Sequence, residues 1–235
     1  IMKLVAIQTP ENLDSANGIL RLRNSVNVHK CELEFFKIQA TTPETLQEHL
    51  SYKLCMPHLE YTYPQWKETR VDEKTKLHLS GYRASDVRKV FACLVSHARL
   101  WKMSADANEE IMICEHDAIF TRQFKPFKWE GGALGINDPR GATRRSNIFH
   151  DEIMMKGGGV HDVPWIDKSH IPQGLAGNSA YIIKPDFALE LLNKLEELGG
   201  WPNDALMCKQ VFPKKLKVCN PYFTTLQGIK SQTTL

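Results

Sequence analysis

The sequence predicts an α/β fold built on a mostly parallel central sheet flanked by helices. Three observations carry that prediction. Strand-like and helix-like segments alternate from the first residues. Ile111-Met112-Ile113-Cys114 is a short continuous apolar run, the pattern of a buried central strand. Ser85 to Met103 places Val87, Val90, Phe91, Leu94, Ala98 and Trp101 on one helical face, as a helix lying on a sheet does.

The elements follow in order. Met2 to Gln8 alternates loosely and reads as an edge or buried strand, ended by Pro10. Leu13 to Val26 reads as a helix with Ile19, Leu20 and Leu22 on its apolar side, and Glu34 to Gln39 as a second strand. Thr42-Pro43-Glu44 opens a short helix, because proline suits a first helical turn. Residues 55–80 are polar and aromatic without a period and read as loop with short helical pieces. Ser85 suits the N-cap of the long helix, and Asp86 its positive end. Residues 130–174, with glycine clusters at 131–132 and 157–159, read as loop-rich and mobile. Asn178 to Ile183 is a further strand. Pro185 starts a helix, Asp186 to Leu198, stopped by Gly199-Gly200. Asn203-Asp204 starts a short helix through Cys208, and Leu216 to Cys219 is a last strand.

Composition sets bounds. The 235 residues are 42% apolar and 24% charged, those of an ordinary globular chain. Such a chain buries roughly 70% of its unfolded surface without staples. Mean hydropathy is −0.35. No apolar run approaches the ~20 residues of a membrane span, and Ile1 to Ile7 is too short for a secretory signal core. The net charge of +3 is less basic than a dedicated nucleic-acid binder. Six cysteines without CxxC spacing argue against a cysteine-based zinc site, and Cys93 and Cys114 read as small core residues. The expectation is a soluble protein of a reducing, cytoplasmic compartment.

The chemistry concentrates where the apolar run ends, in Glu115-His116-Asp117. In an extended strand, residues i and i+2 point the same way, so Glu115 and Asp117 would project together with His116 opposite. Ligand sites of open α/β sheets lie at such carboxyl ends. Two adjacent carboxylates repel, so one pKa should rise unless a cation sits between them. Their hard oxygens suit Mg²⁺ or Mn²⁺. On pattern alone, a solvated strand end followed by a turn is the favoured reading.

Four ordered segments carry a resemblance. Val90-Phe91-Ala92-Cys93-Leu94-Val95-Ser96-His97 with Leu100-Trp101 resembles a "G-C-x-x-S-H-x-x-x-W" helix, with Ala92 in the glycine position. Ile113-Cys114-Glu115-His116-Asp117-Ala118 resembles a "hydrophobic-E-D-D-A" strand end, with His116 replacing the middle Asp. Gly177-Asn178-Ser179-Ala180-Tyr181-Ile182-Ile183 resembles "G-x-x-A-Y-hydrophobic", and Pro202-Asn203-Asp204 resembles "P-x-D". Together they resemble the family 25 glycosyltransferases of lipopolysaccharide biosynthesis and collagen modification, a look shared by small bacteriophage transferases.

The resemblance implies a GT-A-like single domain over 1–235 with a Rossmann-like sheet. Residues 1–120 would form a nucleotide-sugar-binding half and 121–235 an acceptor-binding and catalytic half. It implies a nucleotide-sugar donor, most often a UDP-sugar, a divalent cation (Mn²⁺ or Mg²⁺), and transfer with inversion to an acceptor hydroxyl. Asp117 and Glu115 would hold the metal, with Asp117 its direct ligand and Asp204 the general base. The donor would contact Gln8, Thr9, Pro10, Ala40, Arg83, Ser96, His97, Glu115, Asn178 and Ser179. By helical angle His97 sits at the edge of the apolar stripe and Ser96 opposite it. Arg88 is a further diphosphate candidate. Arg144, Arg145, Lys156 and Gly157-Gly158-Gly159 would form a lid, against the plainer reading of an exposed loop. The acceptor would be a saccharide or, as in some bacteriophage enzymes, hydroxymethylated DNA. Arg140, Arg144, Arg145, Lys209, Lys214, Lys215 and Lys217 supply basic surface for the latter. Loss of a carboxylate at His116 also leaves a non-catalytic nucleotide-sugar-binding module as an alternative.

Overall fold

The computed structural model describes residues 1–143 and 145–229. The chain runs β1 (Met2–Gln8), α1 (Leu13–Val28), β2 (Leu33–Gln39), then α2 (Leu46–Glu48), which continues as a π-helical turn over His49–Leu54. Next come β3 (Thr69–Val71), β4 (His78–Ser80), α3 (Val87–Ala107), β5 (Ile111–Glu115), β6 (Ala118–Phe120), β7 (Ala133–Gly135), α4 (Ser146–Met155) and β8 (Gly159–Asp162). The remainder is β9 (Ala180–Ile183), α5 (Pro185–Leu198), α6 (Asn203–Leu206), β10 (Leu216–Asn220) and β11 (Thr224–Leu226).

A seven-stranded sheet has the order β2-β1-β5-β9-β7-β10-β8. β1 pairs parallel with β2 and β5, and β7 pairs parallel with β10. β9 runs antiparallel between β5 and β7, and β8 antiparallel along β10. Five strands therefore point one way and two the other. The predicted α/β class with a mostly parallel central sheet is the observed one.

Strand alternation divides the core in two. Val5, Ile7, Ile111, Ile113, Tyr181 and Ile183 face α3 and α5. Leu4, Ala6, Met112, Cys114, Ala180 and Ile182 face α1 and the β6–β11 ribbon. The period of two, laid over a central apolar strand, thus builds a sheet covered on both faces. Asn12 caps α1 by accepting from the Ser15 amide at 2.8 Å. Among the described residues no helix is long and apolar enough to cross a membrane.

Four expectations need correction. Asp86 rather than Ser85 caps α3, accepting from the Arg88 amide at 3.0 Å. α3 is buried on most of its circumference, so Ser96, expected opposite the apolar stripe, is buried as well. Residues 55–80 contain an antiparallel hairpin, β3–β4. Its residues other than Leu79 are exposed, so no apolar alternation marks it. Residues 130–174 are not simply loop: they hold β7, α4 and β8. β7 is wholly buried, and glycine is what lets it pass. A Cβ on Gly132 would meet the Phe187 side chain at 2.3 Å, and one on Gly135 would meet Leu175 at 2.9 Å.

Candidate active site

The carboxyl ends of β1, β2 and β5 open into a cavity of about 510 Å³. β9 runs antiparallel, so its amino-terminal approach, Asn178-Ser179, arrives at the same place. α3 contributes Cys93, Ser96 and His97 to its lining, and α6, which packs on α3, contributes Asp204.

β5 ends at Glu115, and His116-Asp117 form a turn before β6. The expected alternation therefore does not apply past Glu115. The turn instead brings Glu115, His116 and Asp117 all into the cavity lining. Gln227 holds the turn in place. Its side-chain amide donates to the carbonyls of Gly18 (3.0 Å), His116 (3.2 Å) and Ala118 (2.7 Å). Its backbone amide donates to the Asp117 carbonyl at 2.7 Å. A Cβ on Gly18 would lie 2.3 Å from the His116 carbonyl oxygen, so glycine is needed where α1 meets the turn.

Asp117 Oδ1 is buried with no hydrogen-bond partner among the described residues. Burial, then the charge of Glu115, pushes the Asp117 carboxyl up to about 7, against a contrary pull from the Ser179 hydroxyl. The expected rise in one of two adjacent carboxyls is therefore present. Burial lowers the His116 pKa, which favours its neutral form. Asn178 Oδ1 is a second buried acceptor in this lining without a partner. Two orphaned acceptor oxygens in one cavity are matched by a ligand that brings cationic charge or donors. Glu115 and Asp117 thus fit a hard divalent cation. The Cys93 thiol, a His97 ring nitrogen and a Glu115 oxygen also lie within 4.8 Å of one another, so Cys93 lines the site rather than filling core.

In the same lining, burial raises the Asp204 carboxyl, while the Tyr82 hydroxyl donates to its Oδ1 at 2.6 Å and lowers it again. Asp204 and Tyr82 also line a second cavity, of about 820 Å³. That cavity is walled by the β3–β4 hairpin and by residues 164–176. Gly174 permits this junction: a Cβ there would lie 2.0 Å from the Met207 carbonyl oxygen.

The fold thus brings Thr9, Ala40, Ser96, His97, Glu115, Asp117, Asn178, Ser179 and Asp204 around one cavity. Ser96 does so through structure: its hydroxyl accepts from the Thr41 amide at 2.8 Å and donates to the Ala92 carbonyl at 2.9 Å. Gln8, Pro10 and Arg83 are not in this lining. Gln8 points outward to Lys37, Pro10 lies in the turn before α1, and Arg83 sits over the Trp66 ring. Arg88 pairs with Asp86 at 2.8 Å. The lid residues are also elsewhere. Lys156 donates to the Asp162 carbonyl, Arg145 pairs with Asp167 at 2.7 Å, and Gly159 begins β8 at the far edge of the sheet. Arg144 lies outside the described residues. Sequence reasoning missed Gln227, Tyr82 and the hairpin, because lone polar residues in loops carry no periodic signal.

Residues 20–130 match the family model for glycosyltransferase family 25, described as an LPS biosynthesis protein. The chain is similar to that family over this segment, a little under half of its length. It is a glycosyltransferase, and the matched segment holds α3, β5 and the Glu115–Asp117 turn. The comparison with curated proteins gives no match. Among solved structures, it is similar to the crystal structure of mouse xyloside xylosyltransferase 1 in its apo form. That likeness has 10% identity and a TM-score of 0.38, over 91% of this chain and 82% of the other.

Proposed function

We propose that this glycosyltransferase is metal-dependent and moves a sugar from a nucleotide-sugar, a UDP-sugar in the first instance, to a saccharide hydroxyl with inversion. The single observation that carries this is the unpartnered, buried Asp117 oxygen beside Glu115. Glu115 and Asp117 would hold Mn²⁺ or Mg²⁺, which when bound neutralises the departing diphosphate as a Lewis acid. Thr9 and Ala40, at the strand ends, border the nucleotide, and Asn178 and Ser179 the transferred sugar. Asp204 takes the proton of the acceptor hydroxyl as that oxygen bonds to the anomeric carbon and the nucleoside diphosphate leaves with the bonding pair. A raised carboxyl held by the Tyr82 hydroxyl and the Ala205 amide suits this work.

The larger cavity, which shares Asp204 and Tyr82 with the donor side, takes the acceptor. Residues 1–120 then supply the nucleotide end of the donor side, joined there by Asn178 and Ser179, and 121–235 most of the acceptor side, with β3–β4 as the contribution of the first half. A saccharide is favoured over DNA by the basic residues themselves. Arg140 pairs with Asp138, Arg145 with Asp167, Lys215 with Glu190 and Lys217 with Asp162, while Lys209 lies over the Trp165 ring.

The test is a thermal-shift screen of UDP-, GDP- and CDP-sugars with and without Mn²⁺, followed by transfer to saccharide or hydroxymethylated DNA. A shift with one donor that requires Mn²⁺, then transfer to saccharide, is the expected result. No shift with any donor overturns the reading. Transfer to DNA with steep salt dependence overturns the acceptor assignment.

A further inference from the structure

Behind the cavity wall, three side chains form an unbroken hydrogen-bonded chain that ends on Glu115. The Trp101 indole Nε1–H donates to the Tyr181 hydroxyl at 2.8 Å. That hydroxyl lies 2.9 Å from His97 Nδ1. His97 Nε2 lies 3.0 Å from Glu115 Oε1. Trp101, Tyr181 and His97 are each 0% exposed, so no solvent competes for these bonds. The His97 and Tyr181 rings stack at an interplanar angle of 16°, which fixes their relative placement.

The donors set the direction of the chain. An indole N–H can only donate, so the Tyr181 oxygen accepts from Trp101. Burial holds the Tyr181 hydroxyl well above its usual pKa, so it keeps its proton. Among the described residues its other hydrogen-bonding neighbour is His97 Nδ1, and the proton goes there. A neutral imidazole that accepts at Nδ1 carries its hydrogen on Nε2. That hydrogen points at Glu115, a pure acceptor when ionised.

We infer that Trp101, Tyr181 and His97 are positioning residues for the transfer: they lock His97 as its Nε2–H tautomer, which fixes one oxygen of Glu115 and leaves the other for the cation shared with Asp117. The inference rests on the reading of Glu115 and Asp117 as the cation pair. It has a second consequence. An Nε2 that bears hydrogen is a donor and not a metal ligand. The Cys93, His97 and Glu115 atoms within 4.8 Å of one another therefore do not form a site for a thiophilic ion. The relay keeps the centre an oxygen site and selects Mn²⁺ or Mg²⁺ over Zn²⁺ or Cd²⁺.

The test uses the whole chain and two readouts besides turnover. Long-range ¹H–¹⁵N correlation of ¹⁵N-histidine protein, assigned by comparison with His97→Gln, reports which ring nitrogen carries hydrogen. The expected result is Nε2–H with Nδ1 bare. Mn²⁺ affinity, read by water-proton relaxation, should fall about tenfold in Tyr181→Phe, as for other partners that orient a metal ligand. Turnover at saturating Mn²⁺ should change little, and Trp101→Phe should show a weaker form of the same split. Cd²⁺ should give a thiolate charge-transfer band in Tyr181→Phe that the unaltered protein lacks. Hydrogen on Nδ1 in the unaltered protein overturns the inference. So does a Tyr181→Phe protein that melts lower but binds Mn²⁺ unchanged, since that is a packing role alone. If the unaltered protein binds no Mn²⁺, the cation reading fails, and the ring-nitrogen signals still decide the tautomer.

Discussion

Two buried acidic groups line the donor cavity, and burial acts on both in the same direction. On the β5 side, Asp117 is left with an oxygen to which no described residue donates, beside a second carboxylate. On the α6 side, Asp204 receives the Tyr82 hydroxyl at 2.6 Å and the Ala205 amide at 3.1 Å. The same residue type in the same cavity thus acquires different chemistry from its neighbours. One oxygen of Asp117 lacks a donor among the described residues, whereas Asp204 is raised by burial and partly offset by the donors that reach it, as suits a group that accepts a proton.

The contrast can be broken in order of expected effect. Asp117→Ala should cost turnover about a thousandfold or more, the equivalent of several kcal/mol of lost charge stabilisation, with Mn²⁺ binding lost. Normal turnover would place the cation elsewhere. Asp204→Asn should lower turnover about a hundredfold or more while donor and Mn²⁺ binding persist. Loss of donor binding with unchanged rate per bound donor would make Asp204 a donor ligand instead.

A third prediction concerns stability without metal. The Asp117 carboxyl is raised from 3.8 to about 7, so the native state holds a proton that the unfolded chain has lost across that interval. The stabilisation from this group is complete below the unfolded pKa and is lost as pH rises through about 7. Chemical denaturation should show a decline on the order of a few kcal/mol over this window. Asp117→Asn should flatten it, and Mn²⁺ should stabilise more at pH 8 than at pH 5. The smallest effect is expected of Tyr82→Phe. Removing that donor raises the Asp204 carboxyl further, so the acid limb of the rate profile moves to higher pH, with about a fivefold loss below its midpoint. An unmoved limb would detach Tyr82 from Asp204.

The first half of the chain was legible because its elements bury long, continuous patterns. Ile111–Cys114 and the α3 face announce themselves, and the Glu-x-Asp spacing at their end locates one wall of the site. The hairpin was hidden because Thr69, Arg70, Val71, His78 and Ser80 face outward and only Leu79 packs. β7 was hidden because three residues, preceded by two glycines and ending in another, form no period, although all three are buried. The geometry of the acidic turn was misread for a related reason. Strand alternation was extended over His116 and Asp117, where Gln227 and the Gly18 contact bend the chain. Contacts between residues two hundred positions apart leave no trace in a local pattern.

That same clasp bears on how activity arises during folding. The amide of Gln227 joins carbonyls of residues 18, 116 and 118, so the acidic turn is braced by one of the longest loop closures in the molecule. Closures of this length come late, after local helices and neighbouring strands have formed. A folding chain in which β1, β2, β5 and α3 are already assembled would still lack a braced acidic turn. Metal capture would then coincide with the final closure rather than with the appearance of the sheet, and partly folded copies would neither bind the cation nor spend donor.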